Sequence, residues 1–506
     1  MGTDDLLLIS LRYLLPDKQK TINYSVFNEA WIRSKCIHLK FKLNNMITRR
    51  DFLKDSILLA AGVTYSANLY AENSNIDSSK KGAVSLKRNV PVKYDADIIV
   101  IGGGIAGVSA ACSTALSGAS VVLIERFGAL GGMLTTGGVA NFCGQIDAQG
   151  EVFDEILSDL KKFNSLGEGD RASVFNYEIM ALVLQEILLK RNVRILLHTR
   201  LVDVLVKGNN ITECIICGKS GLEAVKGKVF IDCSGDADLA RYTGVSTMKG
   251  DGKTGYQLPM SKMFFVREVD EKEFLMQTPE EWTTRITDTE NLPMTSIWPD
   301  GPGGNAIKIK IPMFDSTTTE GLTNAEIQAR RRTMDVLYYY QAIEKKKWRL
   351  TNSATIIGIR EGCRIEGDYI LKVDDLRAGK TFDDGVARGT YYLDGHGLTD
   401  DKRTYILPKD QLDVPPYQIP MRSLISKDAD NLLMAGRCMS ADQLALSSAR
   451  VSTSSSMMGQ ATGVAAAMAV LKKTKIRNLD YNEIKQEVLK RGAQLDVKEQ
   501  LYPIYG

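Results

Sequence analysis

An α/β fold, with a Rossmann-like nucleotide-binding domain interrupted by an inserted α+β domain, is predicted by three features of the chain. First, an apolar run at 97–101 leads into Gly102, Gly104 and Gly107 in G-x-G-x-x-G spacing. Small residues follow at 108–117, then a second apolar run at 120–124, closed by Glu125. Strand, glycine turn, helix, strand and acid stand in the register of a dinucleotide-binding β-α-β unit. Second, the pattern returns far downstream, where the apolar run 431–435 precedes Gly436, Arg437 and a helix of small residues. Third, 250–425 breaks the pattern with aromatics, prolines and few long apolar periods, as a substrate or cap domain inserted into a discontinuous fold would.

Each part of the first unit has a physical role. Gly102 permits the tight turn, Gly104 lets the backbone approach a pyrophosphate, and Gly107 lets helix pack close to strand. The helix N-terminus offers unpaired N–H groups and a positive dipole end to phosphates. Glu125, 18 residues past Gly107, can accept hydrogen bonds from both ribose hydroxyls of an adenosine, and its charge disfavours the 2′-phosphate of NADP. Arg126 comes next in the chain and is placed in the same site. Beyond lies a second glycine-rich stretch, Gly131-Gly132-Met133, able to lie against an extended cofactor. An NAD-dehydrogenase domain would usually continue into another strand–helix repeat here. Glutathione-reductase-like flavoproteins have such a loop, running toward the isoalloxazine, so FAD is the expected dinucleotide.

Further elements are readable downstream. Residues 175–189 predict a helix, and 193–206 a strand or hairpin that supplies a backbone contact to the adenine near Val202. Residues 211–217 and 224–233 alternate and are joined through 218–221 as a hairpin. Gly235 and Asp236 return the chain to the nucleotide domain. A helix is predicted at 330–347. Another spans 459–471 and opens with Gly459, Gln460 and Ala461, its N-terminus directed at the flavin or its pyrophosphate. No second strand-linked G-x-G-x-x-G occurs, so no dedicated NAD(P)H domain is expected. Electrons then enter from a small-molecule substrate and leave to an acceptor the sequence does not identify.

The chain resembles the bacterial FAD-dependent oxidoreductases. The resemblance rests on Y-x-I-P-x-R-S-L at 417–424, N-L-L-x-A-G-R at 431–437, S-x-R-V at 448–451 and G-Q-A-x-G-x-A-A-A at 459–467. It also rests on GIREGCRIEGDYIL at 358–371 and IDCSGDADLA at 231–240. It covers roughly 93–475 and implies fold and cofactor. It says little of what is oxidised, since the family's substrates are mostly unassigned.

At the N-terminus, 48–54 (TRRDFLK) matches the twin-arginine export consensus. An apolar stretch at 56–69 and Leu69-Tyr70-Ala71 come after it, like a signal-peptidase site. A periplasmic bacterial protein is expected, exported already folded around its cofactor. The expected organisation is a mis-called leader at 1–45, with a true N-terminal extension as the competing reading, and a signal peptide at 46–71. A linker at 72–92, the first part of the FAD domain at 93–250 and the cap at 251–425 come next. The second part of the FAD domain, at 426–475, and a helical tail at 476–506 complete it.

Lys and Arg number 64 against 61 Asp and Glu, with no basic stripe for nucleic acid. Eight cysteines are scattered, in no disulfide framework, and no metal site is expected. No run reaches the roughly 18–20 apolar residues of a membrane span.

Oxidation at a C–OH needs a proton acceptor near the hydroxyl. Of three histidines, His38 falls in the leader and His198 in a strand, where a structural role is expected. His396, in YYLDGHGLTDD, is the candidate base, with an exposed loop histidine as the competing reading. Arg360, Arg364 and Arg422 are candidates to clamp a carboxylate or polyol, or to stabilise charge near the flavin. Salt bridging at a domain interface is the alternative for each. Gln443 stands where relatives often carry histidine, which weakens any base there. Cys214 and Cys217 form C-x-x-C in an alternating strand rather than at a helix start, so no redox role is expected. Cys143 either faces the flavin or fills space.

Three functions are compatible with these residues. The first is an exported FAD-dependent dehydrogenase or oxidase acting on a small polar substrate, a sugar or hydroxy acid. The second is a non-catalytic flavin-fold accessory or glycan-binding protein of polysaccharide degradation. The third is a reductase fed by a quinol or cytochrome.

Overall fold

In a computed structural model of the chain, residues 84, 86–168, 173–270, 278–300 and 303–498 are described. The leader, the export signal and most of the linker therefore lie outside the described residues, and the described elements belong to the unit that begins at Val90. Strand β1 (Val92–Asp95) leads into β2 (Ile98–Ile101), whose four side chains are all buried. Helix α1 (Ile105–Leu116) starts directly on Gly104, three residues earlier than the small-residue pattern indicates, because the glycine turn ends at its N-cap. Strand β3 (Val121–Ile124), equally buried, completes the unit. A 3₁₀ turn at Gly132–Leu134, then α2 (Glu151–Lys162) and α3 (Tyr177–Leu189), lead to β4 (Arg194–Leu196).

The segment expected as one strand or hairpin at 193–206 divides between two sheets. Strand β4 joins β3 in parallel, whereas β5 (Arg200–Lys207) pairs with β6 (Asn210–Gly218). His198 sits in the turn between them with φ +51°, so it is not mid-strand. The second run divides likewise. Strand β7 (Gly221–Lys226) forms the expected hairpin with β6. The chain then breaks at Gly227, where a Cβ would lie 2.5 Å from the Ile99 side chain. It re-enters the first sheet as β8 (Val229–Asp232). Helix α4 (Asp238–Thr243) and β9 (Thr247–Lys249) come next.

The cap contains β10 (Met260–Glu268), β11 (Thr295–Pro299), β12 (Gly304–Ile311), α5 (Thr319–Tyr338) and β13 (Trp348–Ser353), its sheet ordered β11-β12-β10-β13. Helix α5 starts well before the expected 330, because Thr318 caps it by accepting from the Gly321 N–H at 3.1 Å. It runs on as a π turn at Tyr339–Ile343. The remaining elements are β14 (Cys363–Ile365), which pairs with β9, α6 (Val373–Arg377), and the pair β15 (Gly385–Gly389) and β16 (Tyr417–Pro420). Strand β17 (Leu432–Met434), α7 (Gln443–Ala449), α8 (Ser452–Leu471) and α9 (Tyr481–Lys490) close the chain.

The first sheet is parallel throughout, in the order β17-β8-β2-β3-β4. Its strands read as continuous apolar runs because both faces are covered. Strand β17 pairs with β8, which brings the C-terminal segment back to the nucleotide unit. Residues 251–425 feed two cores rather than one. Met260, Phe264, Ile307, Ile309 and Val336 pack under the cap sheet. Leu371, Val386, Tyr417, Met421 and Leu424 join the core around α1. Ile484, Val488 and Leu495 are buried in that same core, so the expected tail is integral to it. Among the described residues no helix is long and apolar enough to cross a membrane.

Candidate active site

A cleft with a cavity volume of about 200 Å³ runs along the C-terminal ends of the parallel strands, where ligands bind in open α/β sheets. At one end it is lined by Gly102, Gly104, Glu125, Arg126, Gly235 and Arg437. Its middle is formed by Gly131, Gly132, Met133 and Gly436. At the other end stand Asn141, Cys143, Tyr391, Asp394, Arg450 and Ser452.

The glycines build a cradle. Gly102 has φ +100°, and a Cβ there would lie 2.4 Å from the Cys233 carbonyl oxygen. A Cβ on Gly107 would lie 1.8 Å from the Gly102 oxygen. By contrast, a Cβ on Gly104 would meet no protein atom within 4 Å. Its open side is the cleft, at the N-terminus of α1. The second glycine loop lies against this turn, through the Gly131 N–H to the Gly103 oxygen at 2.8 Å. Glu125 is buried at the end of β3. Its Oε2 accepts from the Gly103 N–H at 2.6 Å and its Oε1 from the Phe127 N–H at 2.8 Å. Burial raises its carboxyl pKa, and these amides pull it back.

Asp236 does not line the cleft. It positions two residues that do, pairing with Arg437 Nη1 at 2.6 Å and Arg126 Nη2 at 3.7 Å. Val202 lies on β5, outside the lining. The small-residue helix requires a correction. Helix α8 begins at Ser452, so Gly459, Gln460 and Ala461 are mid-helix and fully buried, away from the lining. Gly459 is where α8 crosses α1, with its Cβ position 2.1 Å from the Ala106 oxygen, and the Gln460 side chain packs on Gly150. The end that faces the cleft carries Val451, Ser452 and Ser455. Val451, the N-cap, makes no side-chain capping bond, which leaves first-turn N–H groups for a ligand.

At the far end Asp394 is the hub. Its Oδ2 accepts from Arg450 Nη2 at 2.8 Å and lies 3.9 Å from Arg360 Nε. Its Oδ1 accepts from His396 Nε2 at 3.0 Å and from the Tyr392 hydroxyl at 3.3 Å. Burial opposes ionisation, but the His396 hydrogen bond and the two guanidiniums hold the carboxyl far below the usual range. His396 is 2% exposed, so it is not the exposed loop residue of the competing reading, and it stands behind Asp394 rather than on the lining. It stacks on Tyr405 at 4.8 Å. Burial lowers its pKa, and its Nδ1 has no partner among the described residues. Arg360 donates to the Pro259 oxygen at 2.7 Å and is next in the chain to Ile359, which lines the cleft.

The other two arginines lie elsewhere. Arg364 is buried against Glu361 and donates to the Gly250 oxygen at 2.8 Å. Arg422, its side chain 44% exposed, is clamped by Asp384 through bonds of 2.9 and 3.0 Å. Both are spent on ion pairs outside the cleft. Gln443 is likewise engaged, with the Tyr256 oxygen at 2.8 Å and Glu361 at 2.7 Å. Cys214 is buried and Cys217 exposed, on opposite sides of β6, and both are free thiols. Cys143 does line the cleft, and burial keeps its thiol protonated by raising its pKa.

Sequence reasoning missed Asn141, Tyr391, Asp394 and Arg450. Asp394 and Arg450 stood inside quoted motifs, two residues before His396 and within S-x-R-V. The site suits FAD. The cleft is glycine-cradled where a pyrophosphate would lie and acidic where a ribose would lie. Two buried polar atoms on its lining residues, Asn141 Oδ1 and Arg450 Nε, lack partners among the described residues.

The model of the family described as FAD dependent oxidoreductase matches residues 97–488. Cinnamate reductase of Clostridium sporogenes is 41% identical over 63 residues, covering 12% of this chain and 10% of that one. Nicotine dehydrogenase of Pseudomonas putida is 34% identical over 106 residues, covering 21% of this chain and 20% of that one. The chain thus matches at most a fifth of the length of either relative. Among solved structures, a geranylgeranyl bacteriochlorophyll reductase-like protein from Thermoplasma acidophilum aligns at 11% identity and a TM-score of 0.42, over 81% of this chain and 94% of that one.

Proposed function

The chain belongs to the FAD dependent oxidoreductase family, and from that premise we propose that it oxidises a small polar substrate, a hydroxy acid or sugar, at a C–OH carbon. The enzyme is an oxidoreductase and its cofactor is FAD, which supplies the hydride acceptor. Gly102, Gly104 and the α1 N-terminus would hold its pyrophosphate. Glu125 would take its ribose hydroxyls, and Arg126 and Arg437, oriented by Asp236, would flank it.

The observation that carries the substrate reading is the far end of the cleft. There Asn141 Oδ1 and Arg450 Nε are buried without partners among the described residues, beside the ionised Asp394. Unpaired buried polar groups are costly, so they favour a ligand rich in hydrogen-bonding groups. Oxidation of C–OH removes a hydride from carbon and a proton from oxygen. The proton acceptor of this proposal is the His396 imidazole, buried behind Asp394 with no partner on Nδ1 among the described residues and reached from the cleft through water. Asp394, too weak a base to take the proton, holds the imidazole in place. Arg360 acts as a positioning residue that fixes Asp394.

Export is part of the same reading, supported by the twin-arginine pattern at 48–54 with the apolar stretch after it. One experiment tests both parts. The chain is expressed in a bacterium with 46–71 intact, and its flavin is followed anaerobically with hydroxy acids and sugars. The expected result is yellow protein in the periplasmic fraction that bleaches with one of these substrates, and retention in the cytoplasm when Arg49 and Arg50 are changed to Lys. Flavin that stays oxidised with every substrate sinks the catalytic reading, and cytoplasmic wild-type protein sinks export.

A further inference from the structure

Strand β12 presents two faces. Ile307, Ile309 and Ile311 point into the cap core with α5. Ala306, Lys308 and Lys310, alternating with them, lie on the opposite face. On that face Ala306 clusters with Met263, Phe265 and Ala354. The loop that lines the cleft lies on the same cluster, since a Cβ on Gly138 would be 3.0 Å from Ala354 Cβ and 3.2 Å from Met263 Cβ. In the ladder Lys308 stands opposite Met263. The β12 face that bears Lys308 is therefore turned toward the reacting end of the cleft.

The neighbouring buried lysines are both anchored. Lys310 donates to the Lys402 oxygen at 2.9 Å and pairs with Asp400 at 3.4 Å. Lys262 donates to the Ala354 oxygen at 2.9 Å and pairs with Glu326 at 3.1 Å. The Lys308 side chain forms no hydrogen bond or ion pair among the described residues, although it is partly buried. The groups that face it electrostatically are Arg360, Asp394, Cys143 and Arg450, with His396 behind Asp394. Cys143, Asp394 and Arg450 line the cleft, and Lys308 and Arg360 stand behind them, off the lining. The charge count at this end is two guanidiniums and one ammonium against one carboxylate. That carboxylate is already occupied by Arg450, His396 and Tyr392.

We infer that the reacting end of the cleft is a receptor for a small carboxylate, with Arg450 as its contact on the lining and Lys308 as the unpaired positive charge behind it, so that the substrate is a hydroxy acid rather than a neutral sugar. This rests on the oxidoreductase reading above and narrows its substrate class. A guanidinium with a free Nε edge and a point-charge ammonium are suited to a carboxylate. Arg450 Nε is a buried donor without a partner among the described residues, on a side chain that lines the cleft. Burial, then repulsion from Arg360, lowers the Lys308 pKa in the free enzyme. A bound anion raises it again, so binding takes up a proton and weakens as pH rises through the lowered value.

The test uses the FAD-loaded full chain and two probes that differ only in the carboxylate, glycolate and ethylene glycol. The readout is the visible band of the oxidised flavin under anaerobic conditions across a pH series. Glycolate is expected to perturb the band saturably where ethylene glycol does not, with an affinity that falls as pH rises. Lys308→Met should weaken glycolate at least tenfold with flavin content unchanged, and Lys308→Arg should recover most of it. Equal responses to the two probes, a pH-independent glycolate affinity, or an unaltered Lys308→Met protein would overturn the inference. The pH series on the wild-type protein decides even where Lys308→Met does not fold. Bleaching by glucose with no glycolate response defeats this inference and leaves the oxidoreductase reading standing. Glycolate binding without reduction by any hydroxy acid or sugar does the reverse.

Discussion

Glu125 ties the cofactor to pH. Both its oxygens already accept a backbone N–H, from Gly103 and Phe127, and each keeps a lone pair for a ribose hydroxyl. Burial raises its pKa above the ordinary glutamate value of 4.5. Hydroxyl donors bind the carboxylate better than the acid. FAD affinity should therefore fall on acidification, starting above the pH at which an exposed glutamate titrates. Glu125→Gln should weaken FAD by about tenfold to a hundredfold, the range of a lost charge-assisted bond, and flatten this pH dependence. Fluorescence titration of the apoprotein with FAD across the acid to neutral range measures both, and an equally steep profile in the variant would rule the assignment out. This residue was legible because its meaning depends on local spacing, a fixed distance from three glycines. Asp394 was not, because its meaning comes from Arg360 and Arg450, brought to it from separate segments, as well as from its near neighbour His396. Arg364 and Arg422 carried the right chemistry in the right block, but nearby acids, Glu361 and Asp384, consume them.

Between elements, the contact of α8 on α1 supports the cofactor cradle. Gly459 and Gly463 allow the approach, their Cβ positions lying 2.1 Å from the Ala106 oxygen and 2.3 Å from the Ala110 oxygen. Ser109 and Ser456 bridge the two helices by a hydroxyl hydrogen bond of 2.8 Å. Gly459→Val would force the helices apart at the turn where α1 begins to face the cleft. It should cost about 1–3 kcal/mol, as overpacking does, and should lower FAD affinity as well as the melting temperature. Thermal unfolding with and without added FAD checks this, and an unchanged FAD affinity in a folded variant would show that the crossing does not set the cradle. The β2-α1-β3 unit was readable because apolar runs and glycines mark it without ambiguity. The true start of α8 was hidden by Ser452, Thr453 and three further serines, residues that favour caps and turns in isolation. Here they are helical because every one of them is buried against neighbouring elements. The divided strands were hidden for a related reason. A two-sheet crossing at His198 or Gly227 leaves the apolar pattern unbroken while the hydrogen-bonding partners change.

For the unit that begins at Val90 as a whole, the segment after 475 decides whether the fold is cooperative. The expected organisation makes 476–506 a helical tail beyond the FAD domain. The apolar stripe of α9, however, completes the core around α1, with Ile484 and Val488 fully buried. Arg491 then joins three elements. It donates to Ser117 Oγ at 3.0 Å beyond the end of α1, pairs with Glu151 of α2 at 3.2 Å, and pairs with Glu487 of α9 at 2.8 Å. The backbone continues the stitching, from the Gln494 N–H to the Ala148 oxygen at 2.9 Å. Gln418 Nε2 donates to the Leu495 oxygen at 2.8 Å, which ties in β16. A group buried against α8 and β15 contributes to the stability of the whole core rather than of a local appendage. Ile484→Ala should therefore cost about 2–5 kcal/mol, and the loss should appear in one transition. Flavin release, near-ultraviolet circular dichroism and far-ultraviolet circular dichroism should shift together in a denaturant titration. An early far-ultraviolet step that leaves the flavin bound would mean that α9 frays alone and that the nucleotide domain ends before it.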